Sequence, residues 1–175
     1  MTTSLWERLV QSLRLLFPIA TSVLMICLAN VYLPNPLLIK LMPVLVYPAV
    51  WFWLIRRPDL MHFALIFFLG IMSDLLSANL VGVTPLCLLV LYRIVEKHDR
   101  FFRLSSGFVQ WLCFFLFVFT SLCLEWLVNS ILYWNFLPPS NFATKAVTTA
   151  LVLPIITVIL SPIDRFILGA KDRNF

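Results

Sequence analysis

The chain is a succession of long apolar stretches separated by short loops, and the positive charges of those loops fall almost entirely on one side. Six stretches can be read, roughly Leu15–Leu33, Leu37–Ile55, Leu60–Leu76, Leu80–Val95, Phe108–Trp134 and Ala143–Ile163. A helical span needs about 20 mostly apolar residues to cross a hydrocarbon core about 30 Å thick. Threading six alternately gathers the N-terminus, the 56–59 turn, the 96–107 loop and the C-terminus on one face. That face holds Arg8, Arg14, Arg56, Arg57, Arg93, Lys97, Arg100, Arg103, Arg165, Lys171 and Arg173, against only Lys40 and Lys145 opposite. Such an asymmetry places both termini in the cytoplasm. The expected fold is an all-α integral membrane protein: a six-transmembrane-helix bundle, N-in/C-in.

Composition agrees. The chain is 62% hydrophobic and 12% charged, whereas a soluble domain carries about a quarter charged residues. A soluble fold is excluded, and the six spans leave room for a single membrane domain over 1–175. The net charge of +5 is spread over four cytoplasmic turns. It reads as a topology signal in contact with anionic membrane lipid rather than as a nucleic-acid surface. Cys27, Cys87, Cys113 and Cys123 all lie in apolar sequence without C-x-x-C spacing, so they read as packing residues. His62 and His98 have no second ligand at metal-binding spacing. No metal and no cofactor is expected.

Prolines punctuate the spans. Residues 1–14 place Leu5, Trp6, Leu9, Val10 and Leu13 at helical spacing among charged residues, which predicts a short amphipathic helix on the inner interface before helix 1. Helix 1 is a retained signal-anchor, since no small-x-small cleavage site follows it. It should end at Tyr32-Leu33-Pro34-Asn35-Pro36. Pro43 and Pro48 predict a kinked or broken second helix held inside the bundle, where freed backbone groups find partners. Trp51 and Trp53 are expected to mark its inner end. Helices 3 and 4 should form a hairpin turned by Ser77-Ala78-Asn79 and Gly82, with Pro85 in the first turn of helix 4. Helix 5 is long enough to tilt, and Tyr133-Trp134 mark its outer end before Pro138-Pro139. Helix 6 contains Pro154 and should end at Ser161-Pro162, followed by a basic tail over 164–175.

Two acids stand in apolar sequence, Asp74 in helix 3 and Glu125 in helix 5. Intramembrane acids are costly and normally face protein or water. Counting 17 residues from Arg57 puts Asp74 about 25 Å along the helix, towards the outer side, and Glu125 falls in the same half. Gly70, Asp74 and Ala78 recur at i, i+4, i+8 with Ser73 and Ser77 beside them, and Ser121, Glu125 and Asn129 form a second stripe. Small-xxx-small faces let helices approach, with Ser and Asn bonding across. The acids suit either proton or cation transport, or packing and partner binding. The second is preferred, because the spans lack further acids or His to relay a proton. The sequence holds no phosphate-cradling glycine loop, no G-x-S and no H-E-x-x-H, so no catalytic residues are assigned.

The run Arg57-Pro58, then Phe67-Phe68-Leu69-Gly70-Ile71-Met72-Ser73-Asp74-Leu75-Leu76-Ser77, then Leu80-Val81-Gly82, resembles the central signature of the MreD family of rod shape-determining membrane proteins. That signature is a cytoplasmic turn, F-x-x-G-[LI]-x-x-D-[LI], and a Gly-containing turn before the next helix. One departure is Ala78-Asn79, where many members carry a glycine-rich turn. The resemblance implies a non-enzymatic component of the bacterial elongation machinery in the inner membrane. It would partner an MreC-like bitopic protein and, indirectly, an MreB-type filament and a RodA-type polymerase with its transpeptidase, organising lateral peptidoglycan synthesis. It further implies a fold similar to the substrate-binding subunits of energy-coupling-factor vitamin transporters, which supplies the alternative function. The partner or packing candidates are Gly70, Ser73, Asp74, Ser77, Gly82, Glu125 and Asn129.

Overall fold

The computed structural model describes residues 5–30, 42–77, 80–132 and 140–167. Within them the chain is all α. Seven helices follow in order: α1 Leu5–Ala29, α2 Val46–Arg56, α3 Phe63–Leu76, α4 Val83–Lys97, α5 Asp99–Leu104, α6 Gly107–Leu132 and α7 Ser140–Ile167, with a 3-10 turn at Pro58–Leu60. Among the described residues each of the six apolar stretches contains one helix, and α5 is additional. Two helices, Gly107–Leu132 and Phe142–Pro162 of α7, are long and apolar enough to cross a membrane unaided. Leu16–Ala29 and α3 are shorter apolar helices. The outward faces are apolar too: Phe68, Leu86, Val90, Leu116, Ile155 and Val158 are all exposed. Only hydrocarbon tolerates such a surface around a bundle of this kind.

Helix α2 is the axis of the bundle. Every residue from Val46 to Leu54 is buried, and α2 packs against all six other helices. A helix apolar on all sides has no face to offer water and ends up central. Its two prolines stand before the helix and at its start. Pro43 lies in the non-helical segment 42–44, and Pro48 sits in the first turn, where its missing N–H is harmless. The backbone N–H of Val44, outside the helix, donates to Thr149 Oγ1 on α7 at 3.0 Å. The break is thereby satisfied without water.

Trp51 and Trp53 stand in the last two turns of α2, as expected, but they face the interior. Both are buried. Trp51 packs on Phe102 and Phe114 at 5.5 and 5.3 Å between ring centroids. Trp53 meets Phe17 edge-on at 6.2 Å and donates its indole N–H to Thr21 Oγ1 at 3.0 Å. A buried indole needs a partner for its one N–H, and α1 supplies it.

Three further boundaries differ from expectation. Helix α1 is continuous from Leu5 to Ala29 through Pro18, so the amphipathic segment and the first span share one helix. The 96–107 loop is interrupted by α5, whose Phe102 is buried against Trp51 and whose carbonyl at Phe102 accepts from Gln110 Nε2 at 2.6 Å. That apolar anchor shapes the loop into a helical turn. Helix α7 does not stop at Ser161-Pro162 but runs to Ile167 with Pro154 and Pro162 inside it, so the first residues of the basic tail are helical. A proline deletes one bond and leaves one carbonyl free; packed neighbours can keep such a helix continuous. Here Trp111 of α6 donates its indole N–H to the carbonyl of Ala150 at 2.9 Å, four residues before Pro154. The expected turns at Tyr32–Pro36, at Ala78-Asn79 and at Tyr133–Pro139 lie outside the described residues, as does Lys40.

Candidate functional site

The signature residues meet at the turn end of the α3–α4 hairpin. Gly70 is buried where α3 crosses the start of α4, so close that a Cβ on it would lie 2.5 Å from Pro85 Cα. One turn later Asp74 is 1% exposed, and its Oδ2 accepts the backbone N–H of Gly82 at 2.8 Å. Gly82 stands immediately before α4 with φ +114°, a left-handed conformation in which an L side chain is strained. Its N–H is one of those a helix start leaves unpaired, and a carboxylate there also suits the positive end of the helix dipole. Gly70, Asp74 and Gly82 thus form one device: close approach, a cross-turn bond, and the backbone conformation that presents the donor. The other carboxylate oxygen, Oδ1, is buried and has no hydrogen-bond partner among the described residues.

The remaining candidates divide. Ser73 is buried, and exposed Ser77 donates to Asn30 Oδ1 at the end of α1 at 3.1 Å. Ser73 and Ser77 line a cavity of about 160 Å³ with Asn30 and Lys145. Glu125 is half-buried on α6 and close enough to Lys145 and Asp74 to feel both charges. The structure therefore brings the two acids into one electrostatic neighbourhood with a lysine between helices α3, α6 and α7. Asn129 serves its own helix, donating its amide to the carbonyl of Glu125 at 2.9 Å.

Sequence reasoning missed part of this polar interior. Tyr47 lies against Thr84, and Cys87 against Ser121, all four residues being buried. Both links join α4 to another helix, Tyr47 reaching from α2 and Ser121 from α6. Thr149 is fully buried and bonds Val44 as described. The available signal was a hydroxyl beside a proline: Tyr47 precedes Pro48 and Thr84 precedes Pro85. Chemically the arrangement binds helices to one another. Among the described residues no group of three or more His, Cys, Asp or Glu is placed to hold a metal ion.

Apolar outward faces around an apolar core crossed by a few interhelical polar bonds define an α-helical membrane protein. Residues 10–161 match the family described as rod shape-determining protein MreD. The chain belongs to that family, and membership implies a role in determining rod shape. No curated protein and no solved structure matches it.

Proposed function

We propose that this chain is a non-enzymatic scaffold of the bacterial elongation complex, spanning the inner membrane six times with both termini in the cytoplasm. On this reading it binds an MreC-like single-pass protein through its helices. Through that partner it is linked to an MreB-type filament, a RodA-type polymerase and its transpeptidase. The observation that carries the proposal is the family match over 10–161. The interhelical bonds support it, because Gly82 N–H on Asp74, Val44 N–H on Thr149 and Trp111 on Ala150 hold the bundle together and leave recognition to helix faces. Interhelical polar bonds in membranes average about 0.6 kcal/mol, so the interface is broad and no single bond dominates. The outer half of α3 and α6, carrying Ser73, Asp74, Ser77 and Glu125, is the proposed coupling region.

The vitamin-transporter alternative would need a ligand pocket, and such pockets run about 300–1,000 Å³. The polar cavity at Asn30, Ser73, Ser77 and Lys145 is about 160 Å³, below that range, and the larger cavities of about 340 and 440 Å³ have mainly apolar walls. Depletion in a rod-shaped host should give rounded cells with mislocalised wall synthesis. Photo-crosslinkers placed at Ser77 and Leu124 should capture the single-pass partner. Normal shape on depletion, with loss of vitamin uptake and a co-purifying ATPase, would overturn the scaffold reading.

A further inference from the structure

A second cavity, independent of the hairpin, opens where α2, α6 and α7 meet at the end of the bundle that carries Arg56 and Arg57. Its volume is about 340 Å³, and Trp111, Pro154, Thr157 and Val158 are among its walls. Val158 is 73% exposed, so the cleft opens sideways, towards the space a bilayer occupies. Its mouth carries Arg56, a cation held in place rather than loose. The guanidinium lies 5.2 Å above the Phe52 ring and donates to Ser161 Oγ at 3.1 Å. From Ser161 to Pro154 is seven residues along α7, about 10 Å of rise, lined almost wholly by apolar groups.

We propose that this cleft binds one anionic glycerophospholipid, its phosphate on Arg56 and an acyl chain lying along Trp111 and Pro154. Charge and shape select this occupant. A cation beside a narrow apolar slot matches a molecule whose anionic head is joined directly to an alkyl chain. Two sequence features build the slot. Pro154 removes an intrahelical bond where Trp111 takes the freed carbonyl of Ala150, and Gly107 starts α6 without a side chain at the opposite wall. Guanidinium groups suit phosphate through paired N–H donors, which a lysine does not offer.

The test is native mass spectrometry of the full chain released from nanodiscs holding equal phosphatidylglycerol and phosphatidylcholine. The wild type should retain one phosphatidylglycerol in clear preference to phosphatidylcholine. Arg56→Gln should lower that retention at least fivefold, while Arg57→Gln, an equal loss of charge next door, should leave it unchanged. Thr157→Trp, which fills the slot, should abolish retention of either lipid. A phosphatidylglycerol carrying a photoreactive acyl chain should label the unmodified chain at residues 154–158, a readout that needs no variant to fold. Equal retention of the two lipids, equal loss in Arg57→Gln, labelling spread over α3 and α4, or capture of a protein segment at Val158 in cells would each overturn the proposal.

Discussion

Gly70→Ala tests the hairpin device most directly. The added Cβ would lie 2.5 Å from Pro85 Cα, 2.7 Å from its Cβ and 2.8 Å from its N, where ordinary contacts begin near 3.4 Å. The obstructing atoms are backbone and ring root, so no rotamer change relieves them, and α3 and α4 must separate by most of an ångström. Overpacking of this kind costs about 1–3 kcal/mol, and a backbone obstruction belongs at the upper end. Alanine returns about 1 kcal/mol of helix propensity over glycine, leaving a net loss of about 2 kcal/mol. The separation also stretches the bond from Gly82 N–H to Asp74 Oδ2, which spans the same hairpin. Equilibrium unfolding in mixed detergent, followed by tryptophan fluorescence, gives the comparison. Gly107→Ala is the control, since a Cβ there meets nothing within 4 Å, and it should be neutral within about 0.5 kcal/mol. Pro85→Ala should not rescue Gly70→Ala, because the Cα, Cβ and N that obstruct are all retained. Wild-type stability in Gly70→Ala, or rescue by Pro85→Ala, would refute the close-approach argument.

Asp74→Asn keeps an acceptor for Gly82 N–H and should be milder than Asp74→Leu, which leaves that donor unpaired at a cost of about 1–3 kcal/mol; equal losses in the same unfolding assay would show that the bond is not what Asp74 supplies. Lipid-attached quenchers should reach a probe at Phe68, which is 65% exposed, far more readily than one at Asp74. Trp111→Phe orphans the Ala150 carbonyl and should cost about 1 kcal/mol. Pro154→Ala in that background restores an N–H to it, so a double-mutant cycle should show coupling of similar size, and strict additivity would count against the pairing. Reporter fusions after Asn35, Asn79 and Asn141 should read outside and those after Arg57, Arg103 and Asn174 inside. Systematic reversal, or an odd number of spans, would remove the proposed orientation.

The sequence by itself determined the class and the segmentation of this protein. Hydrophobicity, proline position and loop charge are one-dimensional properties, and a bilayer reads them one segment at a time. That is why the helix after Pro43, Pro85 in the first turn of α4 and the start of α6 within a residue of Phe108 were all legible before any packing was known. Which side of each helix faces inward was not. Lipid is as apolar as a helix interface, so a stripe of Leu and Phe points no more towards the core than away from it. Trp51 and Trp53 accordingly look like interface residues until α2 is seen to be enclosed by the other six helices. The polar stripes identified Asp74 and Glu125 as inward candidates, since hydrocarbon penalises an acid wherever it stands. Only the tertiary structure decided the partner of Asp74, the Gly82 N–H. The same holds for Trp111 on the carbonyl freed by Pro154 and for Val44 on Thr149, 105 residues apart. Backbone groups left over by prolines must be satisfied somewhere in a medium without water, but the group that satisfies them comes from whichever helix packing brings near.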